Sequence, residues 1–563
     1  MKKRALYSIC LLLSGSLTAW GQSDPIAIFH NDLRVFLGEN GATKAPAGSP
    51  EMWLSVEQEN EWIPLIFQSG LWLGGLDDES TLLVTDLTEG GQPGTLEAPE
   101  GFDRIWQVTA EEIEQHLADL ADNGLVDEPL EAIYGWPAVG NPHFLDYSGF
   151  ELPDSPLAGL APFWDQNADG LYDPDDGDFP ILSVRGCDIP IIPTQMSWCI
   201  FTMFMDQEQV RPIECQLILF TFACEEAHPL NNTIFLHYRL VHRVEPGGSA
   251  LFDTRLGWYL DPDLGCLLDD YVGSFPDRFA GFAYNRSNED VGCDCLPGLG
   301  TNPPAIGFDL LRGPLTIENN ELVDVDISHI MPFYSPIFGS FPAGTTDPSN
   351  LSEYYNYLQG FWRDGTPLTV GGIGYGGSQT TQFVFPGFPV QPGAWTEWEA
   401  NNPDGDRRLL MAYEPFELQA GAVNEVIAAI TLYRDGADHL DQVVGLRDQL
   451  DQVQAYYDLC FQVENAGDLP PCTQVLTDVG EPAPAAHWSF FPNPAFQTLQ
   501  IDIPDQKRGD LALYDLTGRL CASWAEIEDE TAIQLGALPP GLYVLTLTDS
   551  QGRQSSQKLL VVQ

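Results

Sequence analysis

A chain of 563 residues with 24 Lys and Arg against 82 Asp and Glu carries a formal charge of −58. That balance excludes nucleic-acid binding, because phosphate contact needs clustered cations. A content of 44% hydrophobic and 11% aromatic residues equally excludes a disordered acidic tail, so sizeable cores are expected beneath an acidic surface.

Residues 1–21 read as a signal peptide. Lys2-Lys3-Arg4 is the basic start, Ala5 to Leu17 the apolar stretch, and Ala19-Trp20-Gly21 the small-residue cleavage site before Gln22. This apolar run is too short to span a bilayer, and no later stretch nears ~20 apolar residues. The mature chain is therefore expected to lack a transmembrane segment.

Residues 22–472 form the body, with 53 glycines and 44 prolines scattered along the chain and no internal repeat. Such punctuation favours many short strands over helix bundles. The expected class is mainly β, a multi-strand sandwich-like body with few helices. Residues 62–76 read as strands joined by a Gly turn. Thr109 to Ala121 reads as a helix, with Thr109 and Glu112 as a capping box and Ile113, Leu117 and Leu120 as its apolar stripe. Strands follow at Cys199 to Met205, Glu214 to Cys224, Thr233 to His242 and Glu425 to Tyr433, all rich in β formers. Leu440 to Leu459 has helical spacing and closes the body as a packed surface helix. Length divides the body near residue 185, into 22–185 and 186–472. A linker at 473–487, rich in Pro and Ala, leads to residues 488–563.

The sharpest local constellation runs from Asp165 to Asp178. Oxygen-bearing side chains stand at loop positions 1, 3, 5, 9 and 12, as Asp165, Asn167, Asp169, Asp173 and Asp176. Gly170 permits a sharp turn at position 6, and the Leu171 carbonyl falls at position 7. Ca²⁺ takes six to eight hard oxygens on a bendable loop, which this spacing supplies. Position 12 holds Asp where EF-hands carry Glu, so the loop resembles dockerin and thrombospondin-type calcium loops more closely. Flanking Ala161-Pro162 and Phe179-Pro180 leave no room for long helices. We read it as a calcium staple in a β protein; the competing reading is a solvated Asp/Gly turn without metal. A weaker carboxylate group, Asp261 and Asp263 with Asp269 and Asp270, is either a second cation site or turn chemistry. Asn402 to Asp406 reads as a turn.

Of 11 cysteines, Cys10 leaves with the signal, and the remaining ten are disulfide candidates in an exported chain. Cys460 with Cys472 across a short loop is the first expected pair, followed by Cys187 with Cys199 and Cys215 with Cys224. Cys293 and Cys295 are too close to bridge each other, so one or both reach Cys266 or another partner. Spacing does not fix this connectivity. His237 and His242 lie five apart on an expected strand and so point to opposite faces, which argues against zinc.

No nucleophile elbow, phosphate loop or metalloprotease motif is present in the sequence, and 82 acids make any carboxylate pair meaningless as a glycosidase signature. Trp72, Trp136 and Trp362 lie near glycines and are read as core residues, with sugar stacking as the alternative.

Residues 488–563 alternate apolar and polar positions in short runs broken by turns, as a small antiparallel sandwich requires. Their words are Phe490-Phe491-Pro492-Asn493-Pro494, Asp515-Leu516-Thr517-Gly518-Arg519, Gly541-Leu542-Tyr543-Val544-Leu545 and Lys558-Leu559-Leu560-Val561. In that order they resemble the type A C-terminal sorting domain of the type IX secretion system. The resemblance implies an immunoglobulin-like sandwich that engages the secretion machinery, is then removed, and leaves the body surface-attached or released. Body phrases such as Ser69 to Gly75 and Glu414 to Gly421 resemble large secreted proteins with the same tail, a group with no assigned reaction. The expectation is thus a secreted or surface protein, calcium-stabilised, with a structural, adhesive or binding role toward a glycan or protein. An extracellular hydrolase of polysaccharide or peptide is the alternative.

Overall fold

The computed structural model describes residues 25–461, with breaks at 47–51, 96–100, 154–158, 188, 206–210, 225–227, 245–249, 294–295 and 319–320. It also describes Cys472 and strand segments between 489 and 561. The expected signal, the linker, Cys295 and several of the tail words lie outside the described residues.

Two large antiparallel sheets make the body. In the first, Leu251–Pro262 lies between Glu61–Leu76 and Gly405–Tyr413, with Ile327–Gly339 beyond and Ile26–His30, Leu33–Leu37 and Leu54–Gln58 on the other side. In the second, Val423–Tyr433 and Thr233–His242 are central, with Pro212–Thr221 and Gln195–Phe204 to one side. Ala305–Arg312, Ala280–Asn285 and Asp270–Phe275 continue it on the other. Leu256, Trp258, Leu260, Leu409 and Met411 of the first sheet share one core with Phe201, Leu217, Leu236, Ala428 and Ile430 of the second.

Neighbouring residues of the second sheet enter a different core. Met196, Trp198, Ile200, Phe220, Phe235 and Ala429 pack with Phe102, Ile113, Trp136, Phe144 and Tyr456. Successive side chains point to opposite faces of a strand, and here both faces are covered. That double burial explains why Ile234 to Val241 is largely apolar, broken only by His237 and Arg239, instead of a strict alternation.

The capping box forms as read. Helix Ala110–Asn123 starts with Thr109 Oγ1 accepting the Glu112 N–H at 3.3 Å, while Glu112 Oε2 accepts the Thr109 N–H at 2.9 Å. Helix Asp441–Asp458 buries Val443, Leu446, Leu450, Val453 and Tyr456 against the second sheet. Residues 61–76 correct the reading of a Gly turn, because Glu61–Leu76 is one strand of 16 residues. Gly70 serves close approach: a Cβ there would lie 2.7 Å from the Thr88 backbone.

Cysteine pairing also departs from the spacing argument. Cys187 joins Cys460, Cys224 joins Cys472, and only the Cys266–Cys293 bridge falls among the expected pairs. Cys199 and Cys215 are buried thiols in the core. Among the described residues three disulfides take up six of the ten cysteines that follow Cys10, so thiol titration of the unfolded, unreduced protein, freed of its expected signal, should find no more than four groups. Seven or more would contradict this framework.

The C-terminal segment forms its own sandwich. Ser489–Phe491, Thr498–Asp502 and Thr531–Gln534 make one sheet. Leu520–Ile527, Gly509–Asp515, Gly541–Asp549 and Gln554–Val561 make the other. Leu499, Ile501, Leu513, Ile533, Leu545 and Leu559 fill its core.

Candidate functional site

The loop after Trp164 is built by Asx-type turns, in which short carboxylate and amide side chains accept nearby N–H groups. Asp165 Oδ2 accepts the Gly170 N–H at 2.7 Å and Oδ1 that of Asp169 at 3.2 Å. Asn167 Oδ1 accepts the Asp169 N–H at 3.0 Å, and Asp169 Oδ1 that of Leu171 at 2.8 Å. Gly170 has φ +81°, the left-handed turn expected at position 6, and Ala168 also adopts φ 60°.

Asp165, Asn167, Asp169 and Asp176 come together. The Asn167 amide nitrogen donates to Asp169 Oδ2 and to Asp176 Oδ2, each at 3.2 Å. Three side chains separated by up to nine residues thus converge, with a positive N–H dipole between two carboxylates. Asp173 is turned elsewhere: its Oδ1 accepts the Asp175 N–H at 3.0 Å, capping the helical turn Pro174–Asp176. The Leu171 side chain is half exposed and lines an open pocket of about 470 Å³ with Val139, Pro142, Phe144 and Leu152.

Asp178 was missed in the sequence reading. It is fully buried, and its carboxylate accepts N–H groups of Gln166 at 2.8 Å and Asp173 at 2.9 Å, clamping the two ends of the loop. Burial pushes its carboxyl up to about 6, against the pull of these two hydrogen bonds. Its signal was its place just before the apolar Phe179-Pro180, where a solvated Asp is out of keeping. Tyr134 donates to Asp175 Oδ1 at 2.5 Å, and His143 Nε2 lies 3.2 Å from Asp175 Oδ2, so the loop is tied to the helical segment beside it.

The three tryptophans are core residues. Trp72 stacks on Tyr259 with ring centroids 5.0 Å apart, and Trp136 and Trp362 are wholly buried. The sugar-stacking alternative is set aside for all three.

Beyond the body, the seven described tail strands enclose a core of their own. Residues 489–563 match the secretion system C-terminal sorting domain. The sorting domain is that of the type IX route, and the chain is a secreted or cell-surface protein. The match covers 75 residues and does not extend into the body. Among the described residues no helix is long and apolar enough to cross a membrane. No curated protein matches the chain in sequence. Among solved structures, a polysaccharide lyase aligns at 8% identity over 64% of this chain and 36% of its own, with a TM-score of 0.18. The chain thus spans about a third of that protein, and a likeness this slight carries no argument.

Proposed function

We propose that the sorting domain delivers a body stapled by Ca²⁺ at the 165–176 loop, and that the body serves a structural, adhesive or binding role. The observation that supports this is the convergence of Asn167, Asp169 and Asp176. Rotating the Asn167 amide presents its oxygen to the same centre, and a cation then replaces the N–H donors between the carboxylates. Asp165 adds a further oxygen and the Leu171 carbonyl another, while Asp173, which caps the turn that follows, stays outside the donor set in this arrangement.

The physical benefit is local. Exposed carboxylates crowded on a chain of charge −58 repel one another, and a divalent ion removes that repulsion while fixing the loop against helix Ala110–Asn123. Extracellular calcium modules bind at ~10⁻⁴–10⁻³ M, so a medium with millimolar calcium populates the bound state. A ligand at 100 times its dissociation constant adds ~2.7 kcal/mol; smaller excesses add less.

Calorimetry of the secreted protein should therefore show calcium binding, and chelation should lower its melting temperature. Asp169→Ala or Asp165→Ala should abolish the part of the response that belongs to this loop without blocking secretion. If either variant titrates with calcium as the wild type does, the loop is only an acidic turn.

A further inference from the structure

We infer that the body holds a second, buried site for a hard divalent cation of the calcium type, formed by Asp261, Asp263 and Asp406. Their carboxylate oxygens lie within 4.8 Å of one another, and all three residues are buried. They come from neighbouring strands of the first sheet. Leu251–Pro262 pairs with Gly405–Tyr413, with Leu260 opposite Leu409. Just past this last pair, Asp261 and Asp263 of one chain segment come beside Arg408 and Asp406 of the other.

One of these pairings is complementary and the other is not. Arg408 Nη2 lies 3.4 Å from Asp261 Oδ2, and Arg408 also pairs with Asp406 and, at 3.3 Å, with Asp347. Asp263 beside Asp406 sets like charges together, which is unfavourable for both. Three carboxylates, Asp261, Asp347 and Asp406, thus share the Arg408 guanidinium.

The second observation concerns unmet oxygens. Asp263 is 5% exposed and its Oδ1 is buried without a hydrogen-bond partner; Oδ1 of the 1% exposed Asp261 is in the same condition. A buried charged oxygen without a partner is strongly unfavourable, and native proteins pair such groups or place them on a metal. An all-carboxylate donor set selects Ca²⁺, Mg²⁺ or Mn²⁺ over softer metals.

This site is independent of the 165–176 loop, and one experiment separates them. Calcium content of the full secreted chain, measured after equilibration with millimolar CaCl₂ and brief removal of free ion, should fall by one ion per chain in Asp263→Asn. It should fall by a different ion in Asp169→Ala. In the Asp169→Ala background, Tb³⁺ should give emission sensitised by Tyr259, whose hydroxyl is 3.1 Å from Asp261, and Ca²⁺ should quench it. An Asp169→Ala protein that holds neither Ca²⁺ nor Tb³⁺ overturns the inference whether or not Asp263→Asn folds. So does an Asp263→Asn variant that is more stable without calcium and keeps the wild-type calcium content, the mark of an acid pair sharing a proton.

Discussion

Glu397→Gln should destabilise the body by ~3–5 kcal/mol, the cost of leaving a buried charge without its partner. Glu397 and Arg407 are both fully buried, with Arg407 Nε 3.1 Å from Glu397 Oε2. Glu397 Oε2 also accepts the Val272 N–H at 2.9 Å, and Oε1 accepts from Asn402 at 3.1 Å. Arg407 donates to the carbonyls of Pro403, at 2.7 Å, and Gly405. Its guanidinium lies 5.1 Å from the Tyr271 ring centroid. The pair therefore joins the helical turn Glu397–Ala400, the second-sheet strand Asp270–Phe275 and the first-sheet strand Gly405–Tyr413. Glutamine keeps an acceptor for Val272 but removes the charge, and Arg407 is left in an apolar setting. Pairing Glu397→Gln with Arg407→Met should recover part of the loss, because no unpaired charge then remains. A single variant within ~0.5 kcal/mol of wild type, the range of ordinary surface changes, would contradict this role.

Replacing Cys187 and Cys460 with Ser should cost ~5 kcal/mol on the chain-entropy account. The bridge joins residues 273 apart in sequence, and closing a long loop removes the most freedom from the unfolded chain. Locally it fastens the end of the last body helix. Cys460 and Phe461 follow that helix with φ 54° and 56°, conformations costly for residues with a Cβ. Phe461 is buried against Phe222, with ring centroids 4.6 Å apart, and the disulfide holds the preceding residue. The Cys187→Ser/Cys460→Ser protein should lose denaturant resistance and become sensitive to protease in the segment from Asp441 to Cys472. Unchanged unfolding under denaturant would remove the bridge from the stability account.

Local chemistry was legible in the sequence and long-range chemistry was not. The Thr109–Glu112 capping box and the left-handed Gly170 are decided within a few residues, and both form as read. Strand Thr233–His242 was legible because a dense run of β formers has few other fates. Gly70 was misread because a glycine that admits Thr88 looks, in one dimension, like a glycine that turns. Cysteine spacing favours short loops, whereas the folded chain brings Cys187 to Cys460 and Cys224 to Cys472 across the body. Asp406 read as part of a turn, yet it opens a strand and is buried beside Asp263, a neighbour assigned only by sheet pairing. Of the candidate loop, the spacing anticipated the approach of Asp165, Asn167, Asp169 and Asp176 but not the turning away of Asp173. The clamp at Asp178 was not, since its role depends on burial.

Export is the claim on which the rest depends, and deletion of residues 489–563 tests it most directly. In a host competent for type IX secretion, the truncated chain should fold, form its disulfides and remain in the periplasm, while the same 75 residues fused to an inert reporter should carry it to the cell surface. Surface delivery of the truncated chain at the wild-type level would contradict the account.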